Sequence, residues 1–123
     1  KSHNSDYRDG EQVRDFIYVD DVVDICLYFF SECNSRKNLS GIYNVGTGIA
    51  RTFNDLANAI FASLSLPAQI EYIPTPTDIR DKYQYYTKAD ISKLKLAGFN
   101  KRMNALEEGV KKYCYYLQNW QKF

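Results

Sequence analysis

The sequence holds one histidine, one methionine and only three cysteines in 123 residues. With His3 as the only imidazole, in the N-terminal stretch, a Ser–His–Asp set is not expected. No ligand partners stand near it at metal spacing. Three cysteines without a Cys-x-x-Cys pair argue against a disulfide framework. Cys26 and Cys114 are expected on apolar helix faces as small inert hydrophobes, with Cys33 near a helix end. No signal peptide or spanning segment is visible; Cys26–Phe30 is far too short an apolar run. Net charge is +1, which gives no broad footprint for nucleic acid or a membrane surface. A reducing, cytoplasmic setting is expected, with the Asn38-Leu39-Ser40 sequon as an ordinary loop.

Two catalytic signatures are also missing. Gly46-Thr47-Gly48 follows a strand-like run, but Arg51 stands where G-x-G-x-x-G needs its last glycine. That reads as a tight strand-to-helix turn. None of the 11 tyrosines has a lysine four residues on, so the acid/base pair Tyr-x-x-x-Lys is absent.

What is present is an ordinary globular composition, 45% apolar and 25% charged, rich in Tyr and Phe. Arg14-Asp15-Phe16-Ile17-Tyr18-Val19-Asp20-Asp21 is the most informative stretch. Arg14–Val19 alternates as a strand, with Arg14, Phe16 and Tyr18 on one side and Asp15, Ile17 and Val19 on the other. Asp20 is expected to cap a helix over 21–32, with Asp21 adding charge at its positive end. Val22, Ile25, Cys26, Phe29 and Phe30 recur along it at helical spacing.

Gly41–Val45 reads as a short buried strand. Thr52 with Asp55 predicts a capping box, then a helix with Leu56, Ala59 and Ile60 on its apolar stripe. Ala68–Ile73 alternates as a strand stopped by Pro74 and Pro76. Thr87-Lys88-Ala89-Asp90 is a second capping signature, before a short helix closed by Gly98. Asn104-Ala105-Leu106-Glu107 is a third, opening a helix with Leu106, Val110, Tyr113, Cys114 and Leu117 on one face. Three short strands among four helices are too few for a doubly wound domain and suggest the second half of an α/β protein.

Arg14 is a fixed planar cation at the mouth of a strand-to-helix unit. Taken alone, it is either an anion grip or one end of a salt bridge to Asp15, Asp20 or Glu11. The segment Asp78–Tyr86 combines cations with phenols, which suits a sugar diphosphate and equally suits a solvated loop with one packed tyrosine.

The motif Arg14–Asp21 followed by Ile42-Tyr43-Asn44-Val45-Gly46-Thr47-Gly48 resembles extended short-chain dehydrogenase/reductases acting on nucleotide sugars. Ile70-Glu71-Tyr72-Ile73-Pro74, Tyr83-Gln84, Thr87–Asp90, Ala97-Gly98-Phe99 and Glu108-Gly109-Val110 resemble the ADP-heptose epimerase branch of that superfamily, collinearly over nearly the whole chain.

The resemblance implies that residues 1–123 are one C-terminal substrate-binding region of a Rossmann-type α/β enzyme. It implies an NADP-binding Rossmann half, a glycine-rich loop and a catalytic Tyr/Lys pair upstream of Lys1. This region would then be a fragment, inactive alone, with apolar surface made for its missing half. The implied reaction is reversible inversion at C6 of the heptose by transient oxidation and reduction, for lipopolysaccharide core synthesis. The implied partners are an ADP-heptose-type nucleotide sugar and a second copy of the full-length enzyme. By position, Arg14 and Tyr83 match substrate-contacting residues, and Lys1, Ser2 and His3 match a substrate segment. The stretch from Ser5 to Gln12 is longer than is usual there. The alternatives are another nucleotide-sugar epimerase or dehydratase, and a non-catalytic nucleotide-binding or assembly module.

Overall fold

The computed structural model describes residues 1–33 and 35–120. Two two-residue strands and four helices follow in chain order: β1 (Val13–Arg14), α1 (Val19–Glu32), β2 (Arg51–Thr52), α2 (Phe53–Ser63), α3 (Ser92–Leu96) and α4 (Leu106–Asn119). Single 3₁₀ turns lie at Lys37–Leu39 and Arg80–Lys82.

β1 pairs antiparallel with β2, Val13 opposite Thr52 and Arg14 opposite Arg51. On its other edge Val13 bridges Tyr86 in parallel, donating to the Tyr85 carbonyl at 2.8 Å and accepting from Thr87 N at 3.2 Å. The first amides of α2, which have no partner within the helix, donate to loop carbonyls: Phe53 to Gln12 and Asn54 to Gly10. β1 is therefore fastened on both edges and to the start of α2.

The expected strand over Arg14–Val19 forms its ladder only at Val13–Arg14. The alternation nonetheless holds. Phe16 meets Phe53 edge-on at 5.4 Å, while Asp15 faces Thr47 and Ile17 packs on the core. Side-chain direction follows from extended backbone alone and needs no ladder. The core is Ile25, Leu94 and Phe99, with Tyr28, Tyr43 and Met103 packed around it.

Several helix starts differ from expectation. α1 begins at Val19, so Tyr18 is its N-cap and Asp20 and Asp21 both lie in the first turn. Their charges still face the positive helix end. Asp21 is buried, and its carboxylate accepts from Asn104 N at 3.0 Å and Asn104 Nδ2 at 2.8 Å. Asn104 is thereby used as a tether, and the α4 N-cap is Ala105, whose amide donates to Glu108 at 2.8 Å. Thr87 caps no helix; α3 starts after Ile91, with Asp90 accepting from Ser92 N at 2.9 Å. The Thr52–Asp55 capping box forms with both reciprocal bonds, 2.9 and 3.0 Å.

Gly98 ends the α3 turn at φ +103°, a conformation that favours glycine. Gly41–Val45 and Ala68–Ile73 carry no ladder among the described residues. Their backbone lacks the neighbouring strand that a ladder requires. Cys26 and Phe30 are exposed on α1, away from the Ile25 side that faces the core.

Candidate functional site

Extended backbone at β1 points Arg14 toward the 83–86 segment. Its guanidinium donates to the Val13 carbonyl at 2.7 Å and to the Gln84 carbonyl. It also lies over two rings, 5.5 Å from the Tyr83 centroid and 5.8 Å from that of Phe53. Such cation–π contacts hold the planar cation without neutralising it. Among the described residues Arg14 forms no ion pair, so the salt bridges to Asp15, Asp20 and Glu11 are not made.

Asp15 has a different task. Its carboxylate accepts from Thr47 N (2.7 Å), Thr47 Oγ1 (2.6 Å), Gly48 N (2.9 Å) and Ala89 N (3.1 Å). Gly46 passes so close that an added Cβ would stand 2.6 Å from Asp15 Oδ2 and from the Ala89 methyl, and Gly48 sits at φ +75°. The amides of this turn point at a fixed carboxylate. A dinucleotide pyrophosphate needs those same amides and no anion behind them. The turn therefore does not fit a nicotinamide dinucleotide.

The segment 1–4 folds onto the same face as Tyr83. Lys1 lies on the 73–75 stretch, its backbone nitrogen bonded to the Ile73 carbonyl and its own carbonyl accepting from Thr75 Oγ1 at 2.8 Å. Ser2 Oγ lies 3.1 Å from the Tyr85 hydroxyl, and the His3 ring stands edge-on to Tyr83 and Tyr85 at 6.0 and 5.2 Å. The structure thus brings Ser2 and His3 to the Tyr83–Tyr85 side of the Arg14 cluster, with Lys1 at its margin.

A cavity of about 430 Å³ opens beside Tyr83, walled in part by Lys1, Gln12, Phe53, Asn54, Tyr72 and Tyr83. Gln12 Nε2 donates to the Tyr83 hydroxyl at 3.3 Å, while Gln12 Oε1 is buried with no partner among the described residues. A buried acceptor left unpaired is costly. Tyr72 donates to Asn54 Oδ1 at 2.9 Å, both in the cavity wall. An uncompensated guanidinium and phenols, beside a cavity with apolar walls, suit a phosphorylated, hydroxyl-rich ligand.

Gln12 and Phe53 are absent from the sequence-derived site, and Tyr85 enters it only as one phenol of the Asp78–Tyr86 segment. Phe53 had a local signal, since it follows the Thr52 cap and must sit at the helix mouth. Gln12 and Tyr85 act through partners about 70 and 80 residues away; no local pattern marks Gln12, and none singles out Tyr85 within its segment.

A family description, the NAD dependent epimerase/dehydratase family, matches residues 5–46. The ADP-L-glycero-D-manno-heptose-6-epimerase of Fusobacterium nucleatum subsp. nucleatum is 46% identical over 98% of this chain and 36% of its own length. The protein of that name from Nitratidesulfovibrio vulgaris (strain DP4) is 43% identical over 92% of this chain and 34% of its own. The solved UDP-N-acetylglucosamine 4-epimerase of Methanobrevibacter ruminantium M1, in complex with UDP-N-acetylmuramic acid, superimposes with a TM-score of 0.74 at 26% identity, covering 93% of this chain and 34% of that one. The chain spans about a third of the length of the curated relatives it matches.

Proposed function

Because this chain resembles ADP-L-glycero-D-manno-heptose-6-epimerases along nearly its whole length, we propose that it is the substrate-binding region of a nucleotide-sugar epimerase acting on ADP-heptose. The observation that carries the reading is Arg14, a cation with no ionic partner among the described residues, held between the rings of Tyr83 and Phe53. The planar fork matches a diphosphate, and its ring contacts hold it before the ligand arrives. Tyr83, Lys1, Ser2 and His3 complete the binding wall. A nicotinamide cofactor, NADP in this reading, would be held by a Rossmann half of the whole protein together with the catalytic Tyr/Lys pair, and would supply the hydride chemistry for inversion at C6. The residues of this chain bind and orient substrate and make no bond to the reacting carbon. On the same reading the enzyme is cytoplasmic and oligomeric, and its product serves lipopolysaccharide core assembly, as the family resemblance implies.

The test uses the full-length enzyme with ADP-heptose, UDP-N-acetylglucosamine and a GDP-sugar. ADP-heptose should be epimerised in preference to the others. Arg14→Ala should raise KM about ten- to hundredfold, the loss of a charge-assisted contact, with NADP still bound. No turnover of ADP-heptose by the native enzyme sinks the assignment. Loss of NADP in the variant would show that Arg14 serves the fold.

A further inference from the structure

Tyr85 is the most enclosed of the aromatic residues around Tyr83, and its hydroxyl is where the 1–4 segment is tied down. It accepts from His3 N at 2.8 Å, with Asn4 N at 3.3 Å and Ser2 Oγ at 3.1 Å around it. His3 Nδ1 lies 2.9 Å from the same oxygen. The proton positions follow from the partners. His3 Nε2 faces the Arg80 carbonyl at 3.1 Å, which can only accept, so Nε2 carries the proton. In the neutral ring Nδ1 is then an acceptor and receives the Tyr85 hydroxyl proton. The oxygen keeps two lone pairs, one filled by His3 N and one shared by the weaker donors.

The ring serves as well as the hydroxyl. It packs on Tyr7 at 4.8 Å, on His3 at 5.2 Å and on Tyr83 at 5.2 Å. Tyr7 belongs to the long stretch between Ser5 and Gln12, so Tyr85 also holds the middle of that loop. Val13 N donates to the Tyr85 carbonyl at 2.8 Å, which fixes Tyr85 to β1 one residue from Arg14. One residue therefore joins three parts of the site: its side chain meets the 1–4 segment and Tyr83, and its backbone carbonyl meets the strand that carries Arg14. Burial works to raise the Tyr85 hydroxyl pKa, but the bonds from Ser2, His3 N and Asn4 N, with the Arg80 charge, outweigh it and hold it below the usual tyrosine value.

We propose that Tyr85 is a positioning residue for the nucleotide sugar, clamping the Ser2–Asn4 segment against Tyr83 through its hydroxyl and fixing His3 as the Nε2–H tautomer. The proposal rests on the functional reading above, because it takes residues 1–3 as a substrate wall. The clamp itself can be read without substrate.

The test compares the native full-length enzyme with Tyr85→Phe, which keeps the ring and removes only the oxygen. Backbone assignment identifies the His3 and Asn4 amides and the His3 ring. In the neutral His3 ring of the native protein Nε2 should carry the proton, with slowed exchange at the His3 and Asn4 amides. In the variant that exchange should quicken about tenfold, the effect of releasing a hydrogen-bonded segment, and the tautomer preference should weaken. KM for ADP-heptose should rise about fivefold or more, with kcat within about twofold, since only positioning is lost. Ser2→Ala should reproduce a smaller part of the KM change. Unchanged exchange and tautomer in Tyr85→Phe overturn the clamp. A changed clamp with KM unmoved overturns its role in substrate binding, and so does a fall in kcat at constant KM. If the native enzyme ignores ADP-heptose yet the ring and amide signatures appear, the functional reading fails and the clamp stands.

Discussion

Two neighbouring charged residues, Arg14 at the end of β1 and Asp15 just after it, point in opposite directions and meet opposite fates. Arg14 keeps its charge available, stacked between Tyr83 and Phe53. Asp15 spends its charge on four donors from the 47–48 turn and from Ala89. Those partners lie 32 to 74 residues away, so Asp15 closes long loops with one side chain. Asp15→Asn keeps the size but offers one acceptor oxygen and turns an NH₂ group toward backbone N–H groups. Bonds to a charged acceptor contribute roughly 1.5–3 kcal/mol each, so a loss of about 3 kcal/mol is expected. It should appear as a lowered urea midpoint of the whole enzyme, and a midpoint within error of native would contradict the role given to Asp15. The alternating pattern of Arg14–Val19 made this division legible, because side-chain direction is a local property of extended chain. The partners were not legible. Asp20 and Asp21 looked like helix-start hardware, yet Asp21 is held by Asn104 across 83 residues, a tertiary fact with no local spacing.

At the scale of elements, the helix starts are joined by one arginine. Arg51 on β2 donates to Asp55 of the α2 capping box at 3.1 Å and to Glu107 in the first turn of α4 at 2.7 Å. The Arg51 hydrogen bond, with that of Thr52 N, holds the Asp55 pKa below the usual carboxylate value. Arg51 does the same for Glu107, and the Ala105 amide with Arg102 does so for Glu108. All three pKa values are depressed on folding. Their contribution is therefore complete above the unfolded-state values, about 4, and is lost as pH falls through the lower folded-state values. Stability of the whole enzyme should be level from neutral pH to about 5 and decline below about 4. The double variant Asp55→Asn, Glu107→Gln should flatten the acid side of that curve in urea melts, and an unchanged slope would remove the network from the account. The capping box was readable because Thr52 and Asp55 are three residues apart and satisfy each other. Gly41–Val45 and Ala68–Ile73 were less so, since a strand is completed by neighbours that sequence alone does not name.

At the scale of the molecule, too much apolar surface stays in water. The accessible surface is 9111 Å², against about 6,800 Å² expected for a folded monomer of this mass. The excess has identifiable faces. Val19, Val23, Leu27 and Phe30 make an exposed stripe along α1, and Ile42 and Val45 stand exposed before the Asp15-bound turn. A trough of about 910 Å³ runs beside α2 and α4, lined by Tyr18, Leu56, Ile60, Leu64, Val110 and Leu117. Patches of this extent are seldom left open by soluble monomers. Under the proposed function, the Rossmann half of the whole enzyme covers them. Residues 1–123 expressed alone should then associate through these faces, seen as a concentration-dependent rise in mass by analytical ultracentrifugation. Leu27→Glu with Phe30→Glu should shift that equilibrium toward monomer, because it places charge in the middle of the α1 stripe at little cost to the core around Ile25. A monodisperse, cooperatively melting monomer of the unmodified chain would mean that these faces need no cover, and the case for a docked half would then rest on sequence likeness alone.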